Sequence, residues 1–282
     1  MTKLQLALVA YLSVLAGGCA TTSPGTGPTA LVFPYKWVGS IDRDRLNEPS
    51  GIVYHAARQT LFAVGDEGDI IEMRTDGTAV AHTTLRKGAD LEAVTFDPAT
   101  GLLYVAVEGE ERVLEVDPQT LKVLRRFAVD RTFDGSIRLR GGGEGIEGMC
   151  FVPNATHPEG GTFFIVNQAF SLKDPEDTSS LCRVELPLRT GAKGNGDLRG
   201  RIVEYTAMPI IDMSGMHYDD GTGHLFIACD ADNVLMEVTL DGTILRTWAF
   251  PGNDQEGIAA DTEGNLYIAQ DSGGILKVKW KR

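Results

Sequence analysis

Residues 253–280 read "NDQEGIAADTEGNLYIAQDSGGILKVKW". Three short apolar runs stand in it, "GIAA", "NLYIAQ" and "GILKVKW", parted by the turn-forming "DTEG" and the acidic "DSG". Short apolar runs bounded by Gly and Asp read as strands, and helix start and stop signals are nearly absent. The stretch is therefore a three-stranded meander that stops at the end of the chain.

The same unit recurs upstream. First strands read "SGIVY" (50–54), "EAVTFD" (92–97), "EGMCF" (147–151), "SGMHYD" (214–219) and "EGIAAD" (256–261). Each has Glu or Ser followed by a small residue: Gly51, Ala93, Gly148, Gly215 and Gly257, spaced 42, 55, 67 and 42 apart. Repeats of this length signal a solenoid or a propeller. Second strands follow as "TLFAV", "LLYVAV", "TFFIVN", "HLFIAC" and "NLYIAQ", then third strands such as "DIIEMR" and "RVLEVD". Turns such as "LDGT" lead to fourth strands such as "ILRTWAF". Asp-Gly between β-type runs is a strong hairpin signal.

Four antiparallel strands repeated radially make a propeller blade. We therefore expect an all-β, five-bladed β-propeller of four-stranded antiparallel blades. The fifth repeat lacks a fourth strand, and "YKWVGSI" at 35–41 can supply it. The last blade is then closed by the N-terminal strand, which leaves no open circular edge. Strands apolar at consecutive positions fit blades covered on both faces by their neighbours.

The first residues stand apart. Lys3, the apolar run Leu4 to Leu15, and "LAGGC" ending at Cys19 resemble a bacterial lipoprotein signal, with Cys19 lipidated. The Pro/Gly/Thr-rich "CATTSPGTGPT" is a flexible tether. The expected organisation is a signal over 1–18, a tether over 19–30 and the propeller over 31–282. The expected location is the bacterial cell envelope, on the outer membrane or a periplasmic face, with membrane contact through the lipid alone.

The chain carries 26 Lys+Arg against 39 Asp+Glu, a formal net charge of −13. That balance, with no Lys/Arg stripe, excludes a nucleic-acid footprint and favours cations as ligands. The histidines are scattered without zinc spacing. Cys150, Cys182 and Cys229 remain after the signal, and buried thiols in apolar runs are the expectation for Cys150 and Cys229. The run "GGGEGIEGMCF" (141–151) matches G-x-G-x-x-G at Gly143, Gly145 and Gly148. A dinucleotide turn needs a strand before and a helix after. Here an Arg-bearing loop precedes and a strand follows, so the run is the entry to the third first strand.

Acidic groups sit where first strands begin and second strands end: Glu48, Asp90, Glu92, Glu144, Glu147, Asp212, Asp254 and Glu256, with Asp66, Glu67, Glu108, Asn167, Asp230, Asp232 and Asp271. Both positions belong to one end of the blades. First strands line a propeller's channel, so these oxygens converge. Two readings fit: a hard oxygen-ligated cation, Ca²⁺ above all, or a solvated acidic rim that caps strand-end N–H groups. For the cation, the expected ligands are Glu92, Glu147, Glu256, Asp66, Asp230 and Asp271. No G-x-S-x-G elbow is present, Ser214 and His217 point to opposite faces, and no catalytic set emerges. Insertions at 130–144 and 168–180 crowd the same face. Arg138 and Arg140 on the first could bind an anionic ligand, or pair with local carboxylates.

The stretch 212–280, from "DMSGMHYDD" to "GGILKVKW", resembles the SdiA-regulated (YjiK/CarP-like) family of exported bacterial β-propellers, as do "NEPSGIVY" and "DLEAVTFDPATGLLYVAVEGEERVLEVD". The resemblance implies a link to calcium-responsive physiology and a likeness to phytase-type propellers. It supplies no catalytic residues. The expected function is thus a calcium-linked binding or scaffold protein, with a possible protein partner in the envelope. The alternative is a metal-dependent hydrolase of phosphate or other esters.

Overall fold

A computed structural model describes residues 30–42, 46–143, 145–174, 177, 179–190 and 197–281. The signal, Cys19 and most of the tether lie outside these residues, as does Glu144. Two strands lead in, the short β1 (Leu31–Val32) and the longer β2 (Tyr35–Asp42). The first repeat forms β3 (Pro49–His55), β4 (Thr60–Gly65), β5 (Asp69–Arg74) and β6 (Ala79–Thr84). The second forms β7 (Val94–Phe96), β8 (Leu103–Val107), β9 (Arg112–Asp117) and β10 (Lys122–Asp130). The hairpin β11 (Thr132–Phe133) and β12 (Ser136–Ile137) is built from the first insertion. The third repeat is β13 (Ile146–Pro153), β14 (Gly161–Asn167), β15 (Ser180–Glu185) and β16 (Leu198–Ala207). The fourth is β17 (Met213–Asp219), β18 (His224–Cys229), β19 (Val234–Val238) and β20 (Ile244–Ala249). The last is β21 (Gln255–Ala260), β22 (Asn265–Gln270) and β23 (Ile275–Trp280).

Each repeat is an antiparallel meander, and β2 pairs antiparallel with β23 as the fourth strand of the last one. Two pairings were not legible in the sequence. β10 and β16 run parallel over Phe127–Asp130 and Leu198–Arg201, joining the second and third meanders into one eight-stranded sheet. β1 adds parallel to the outer edge of β20.

The core follows from strand alternation. Successive side chains point to opposite faces, and every residue of β4, β8, β14 and β22 is buried. Phe62 and Val64 pack with Leu103 and Val105 of the next repeat, whereas Leu61 and Ala63 pack with Tyr267 and Ala269 of the last. Each of the five apolar clusters lies between two consecutive repeats in this manner. The first strands contact one another in the order β3, β7, β13, β17, β21 and back to β3. Cys150, Cys182 and Cys229 are buried and unbridged.

The repeated small residue is what lets the first strands approach. A methyl on Gly51 would lie 2.8 Å from Cα of Ala93, one on Gly148 would lie 2.5 Å from the carbonyl of Ser214, and one on Gly257 would lie 2.6 Å from the carbonyl of Ser50. Gly215 faces the Glu256 carbonyl more closely still. Small residues thus form a collar around the axis, and the space left inside it is only about 10 Å³.

Candidate functional site

On the entry side of the collar the strand starts bring three tiers of groups together. Directly before the small residue stand Ser50, Glu92, Glu147, Ser214 and Glu256. Three residues before it stand Glu48, Asp90, Gly145, Asp212 and Asp254. Glu48, Asp212 and Asp254 hold left-handed backbone conformations, with φ of 49°, 57° and 51°. The third tier is set by strand register. Pro49 pairs with Gly65, Ile146 with Asn167, Met213 with Cys229 and Gln255 with Gln270. The residues that follow are Asp66, Gln168, Asp230 and Asp271, and Glu108 holds the same place after β8. Backbone N–H groups of Glu108, Asp230 and Asp271 donate to the carbonyls of Asp90, Asp212 and Asp254, which locks two tiers together.

This register corrects one expectation. Asn167 does not join the mouth: it is fully buried, its Oδ1 accepts from the Ser180 N–H at 2.8 Å, and its Nδ2 donates to the Gln168 carbonyl. Gln168 takes its place and donates to Asp212 at 2.8 Å. The third repeat therefore contributes no carboxylate to the outer two described positions. There the Gly145 N–H donates to Glu108 at 2.9 Å.

Two sets of three carboxylates come within 4.8 Å of one another: Asp66, Asp90 and Glu92, and Glu48, Asp66 and Asp271. Asp66 is common to both. Of the six expected ligands, Asp66, Glu92 and Asp271 fall in these sets, while Glu147, Glu256 and Asp230 do not. Glu48 and Asp90 join them, and one Asp90 oxygen is buried without a hydrogen-bond partner.

Crowding and burial dominate the electrostatics. Burial, then the nearby Glu147 charge, raises Glu92 well above the usual carboxyl range. Glu147 is raised in the same way by burial and by Glu108, with which it shares a hydrogen bond. Glu256 is pushed up to about 8, by burial and then by Asp230, Asp271, Asp212 and Asp66. Asp66 rises to about 6 through burial, although the Ser50 hydroxyl donates to it at 2.6 Å and opposes the shift. Without a counter-ion this mouth holds protons at neutral pH. A divalent cation would displace them, and the donor set is the all-oxygen kind that suits Ca²⁺.

The expected anion-binding arginines separate. The Arg138 guanidinium lies 4.5 Å over the Tyr205 ring, and its carbonyl accepts from Ser180 at 2.7 Å. This ties the two insertions together. Arg140 and Arg131 line a cavity of about 410 Å³ with Ile137, Gly143 and Phe170. Arg140 also lies 3.9 Å from Asp177. Beyond the collar, at the far end of the axis, sequence reading missed a cavity of about 480 Å³ lined by Tyr54, Phe96, Met216 and Tyr218. Its residues lie near the ends of the first strands, where the shared Asp of "VTFD", "MHYD" and "IAAD" reads as turn chemistry rather than as a pocket.

Among solved structures, the chain is similar to Myxococcus xanthus glutaminyl cyclase, at 12% identity over 88% of this chain and 97% of that one, with a TM-score of 0.59. Weaker likenesses are a Bacteroides caccae protein of unknown function (16%, 78% and 69% covered, TM-score 0.46) and the Cps50 (Swd1) β-propeller domain of Myceliophteria thermophila (9%, 86% and 100%, TM-score 0.48). At these identities the first likeness speaks for the fold and not for an activity. Residues 40–272 match the SdiA-regulated family model. The meanders, their cyclic contacts and this match together make the chain a β-propeller that belongs to the SdiA-regulated family.

Proposed function

We propose that the chain is a lipid-anchored, envelope-facing β-propeller of five closed blades that binds a divalent cation, Ca²⁺, at its acidic mouth and acts as a calcium-linked binding or scaffold protein. The five apolar clusters, one at each junction between repeats, support the blade count. The lipoprotein-like signal ending at Cys19 supports the anchor.

The observation that carries the cation reading is the sharing of Asp66 by two carboxylate triads. Like charges this close repel, so each must keep a proton or share a cation. Carboxylates on rigid strand ends, fixed by Ser50 and by backbone bonds, are already gathered before an ion arrives. The test is a Ca²⁺ titration by calorimetry, with Asp66→Asn as the control. Binding in the native chain and its loss in the variant support the reading. No heat at millimolar Ca²⁺ contradicts it.

A second reading is a metal-dependent hydrolase of phosphate or other esters. The cavity lined by Arg131 and Arg140 favours it, because Gly143 in its wall is two residues from Gly145, which binds Glu108. Guanidinium groups beside a metal suit a phosphate ester. Ca²⁺-dependent turnover of a phosphoester panel, lost in Asp66→Asn, would support it. A blank panel beside intact Ca²⁺ binding would leave the binding role alone.

A further inference from the structure

Five of the eleven large apolar side chains exposed among the described residues fall within residues 31–38: Leu31, Val32, Tyr35, Trp37 and Val38. Val32 is 87% exposed and Trp37 53%. They lie on β1 and β2, on the perimeter of the ring, where β2 pairs with β23 alone and its other edge is open.

The same edge is basic in a chain of net charge −13. The register sets Lys36 opposite Lys279 and Gly39 opposite Lys277, and Lys281 follows directly. These are four of the nine lysines in the sequence. Lys277 donates to the Thr75 carbonyl at 2.8 Å and Lys279 to the Glu263 carbonyl. Lys277 is turned into the junction with the first repeat, 5.1 Å over the Tyr267 ring, which leaves Lys36, Lys279 and Lys281 as the cations of the edge itself.

We propose that this edge, formed by β1, β2 and the end of β23, docks on an anionic phospholipid surface and holds the propeller by its rim, a contact beyond the lipid-only one expected from the sequence. Trp and Tyr favour the membrane interface, and lysine stems lie along apolar surface while their ammonium groups reach phosphates. The occupant is identified by charge complementarity and by where the described chain begins. If Cys19 carries lipid, ten residues lie between it and Ala30. A chain of that length reaches at most about 40 Å. The edge is then the part of the propeller held nearest the bilayer, at an effective concentration where a weak contact suffices. That part of the argument rests on the anchor reading; the composition of the edge does not. Rim docking lays the ring axis along the membrane plane and leaves both ends of the axis open to solvent.

The test uses the chain from residue 19 with Cys19→Ser, which keeps every described residue and removes the anchor. Its binding to phosphatidylcholine vesicles with and without phosphatidylglycerol is followed by co-sedimentation and tryptophan emission. Trp248 and Trp280 are buried, so a blue shift on binding reports Trp37. Binding that requires phosphatidylglycerol, weakens with salt and falls about fivefold for each of Lys36→Gln and Lys281→Gln, at unchanged melting temperature, supports the proposal. No binding to the anionic vesicles overturns it. So does concentration-dependent self-association lost in Trp37→Ser without vesicle binding, which would make the edge a contact between copies. Lipid labelling of the full chain at Cys19 tests the anchor separately, and its failure leaves the vesicle result standing.

Discussion

A methyl group on Gly257 would lie 2.6 Å from the carbonyl oxygen of Ser50. These residues belong to the last and first repeats, so their contact is where the two ends of the repeat series meet. Overpacking of this kind costs about 1–3 kcal/mol. Gly257→Ala should therefore lower the melting temperature by several degrees, since ~1 kcal/mol is worth about 2–4 °C at this size. Gly143→Ala, where an added Cβ meets nothing within 4 Å, should leave it unchanged. Equal melting temperatures for both variants would remove the collar from the account.

The closing strand depends on Phe33. It is 2% exposed and makes edge-on contacts with Trp248 and Phe250, with centroids 6.1 Å and 5.6 Å apart. It also lies 5.5 Å from the Trp280 ring, so one side chain ties the N-terminal segment to the last two repeats. Phe33→Ala should cost about 3–5 kcal/mol, measured by urea unfolding. A loss below ~1 kcal/mol would mean that the N-terminal segment contributes little to closure.

The half-buried Arg125 pairs with Glu115, whose side chain is only 3% exposed. Tyr104 donates to Glu115 at 3.3 Å, and Arg125 also donates to the Leu188 carbonyl at 2.7 Å. Arg125→Ala would strand a buried carboxylate and should cost about 3–5 kcal/mol. Arg125→Met with Glu115→Met should recover most of it. A double variant no better than the single would show that Arg125 acts by packing.

Stability should fall as pH rises when no cation is bound. Glu256 is pushed up to about 8 in the folded protein, against 4.5 as its ordinary value. Between those values the folded state keeps a proton that the unfolded chain has released, so raising pH favours unfolding. Glu92 and Glu147 are raised in the same direction. Melting temperatures in chelator should decline from about pH 5 to about pH 8, and Glu256→Gln should flatten the decline. A flat profile in the native chain would contradict the protonated mouth.

The repeat was legible because its signal is local. Gly and Asp turns, short apolar runs and the small residue of each first strand all lie within a few positions of one another. The supply of the last fourth strand by 35–41 was legible too, because the final repeat stops one strand short. The parallel joining of β10 to β16 was not, since nothing in "FAVD" or "LRGR" names a distant partner. The convergence of carboxylates at one end followed from strand direction, but their grouping did not. Asp66 sits between Glu48 and Asp90 because of left-handed backbone and register, and the one-residue error at Asn167 arose because register decides which of two neighbours faces the mouth.

Calorimetric titration of the native chain with Ca²⁺ at about pH 7.5, beside Asp66→Asn, tests the central claim most directly. The account predicts saturable binding in the native chain, with proton release because Glu256, pushed up to about 8 by burial and nearby carboxylates, still holds its proton at that pH. It predicts a loss of at least about tenfold in affinity for Asp66→Asn, with the fold intact. Absence of binding at millimolar Ca²⁺, or the same affinity in the variant, would contradict it.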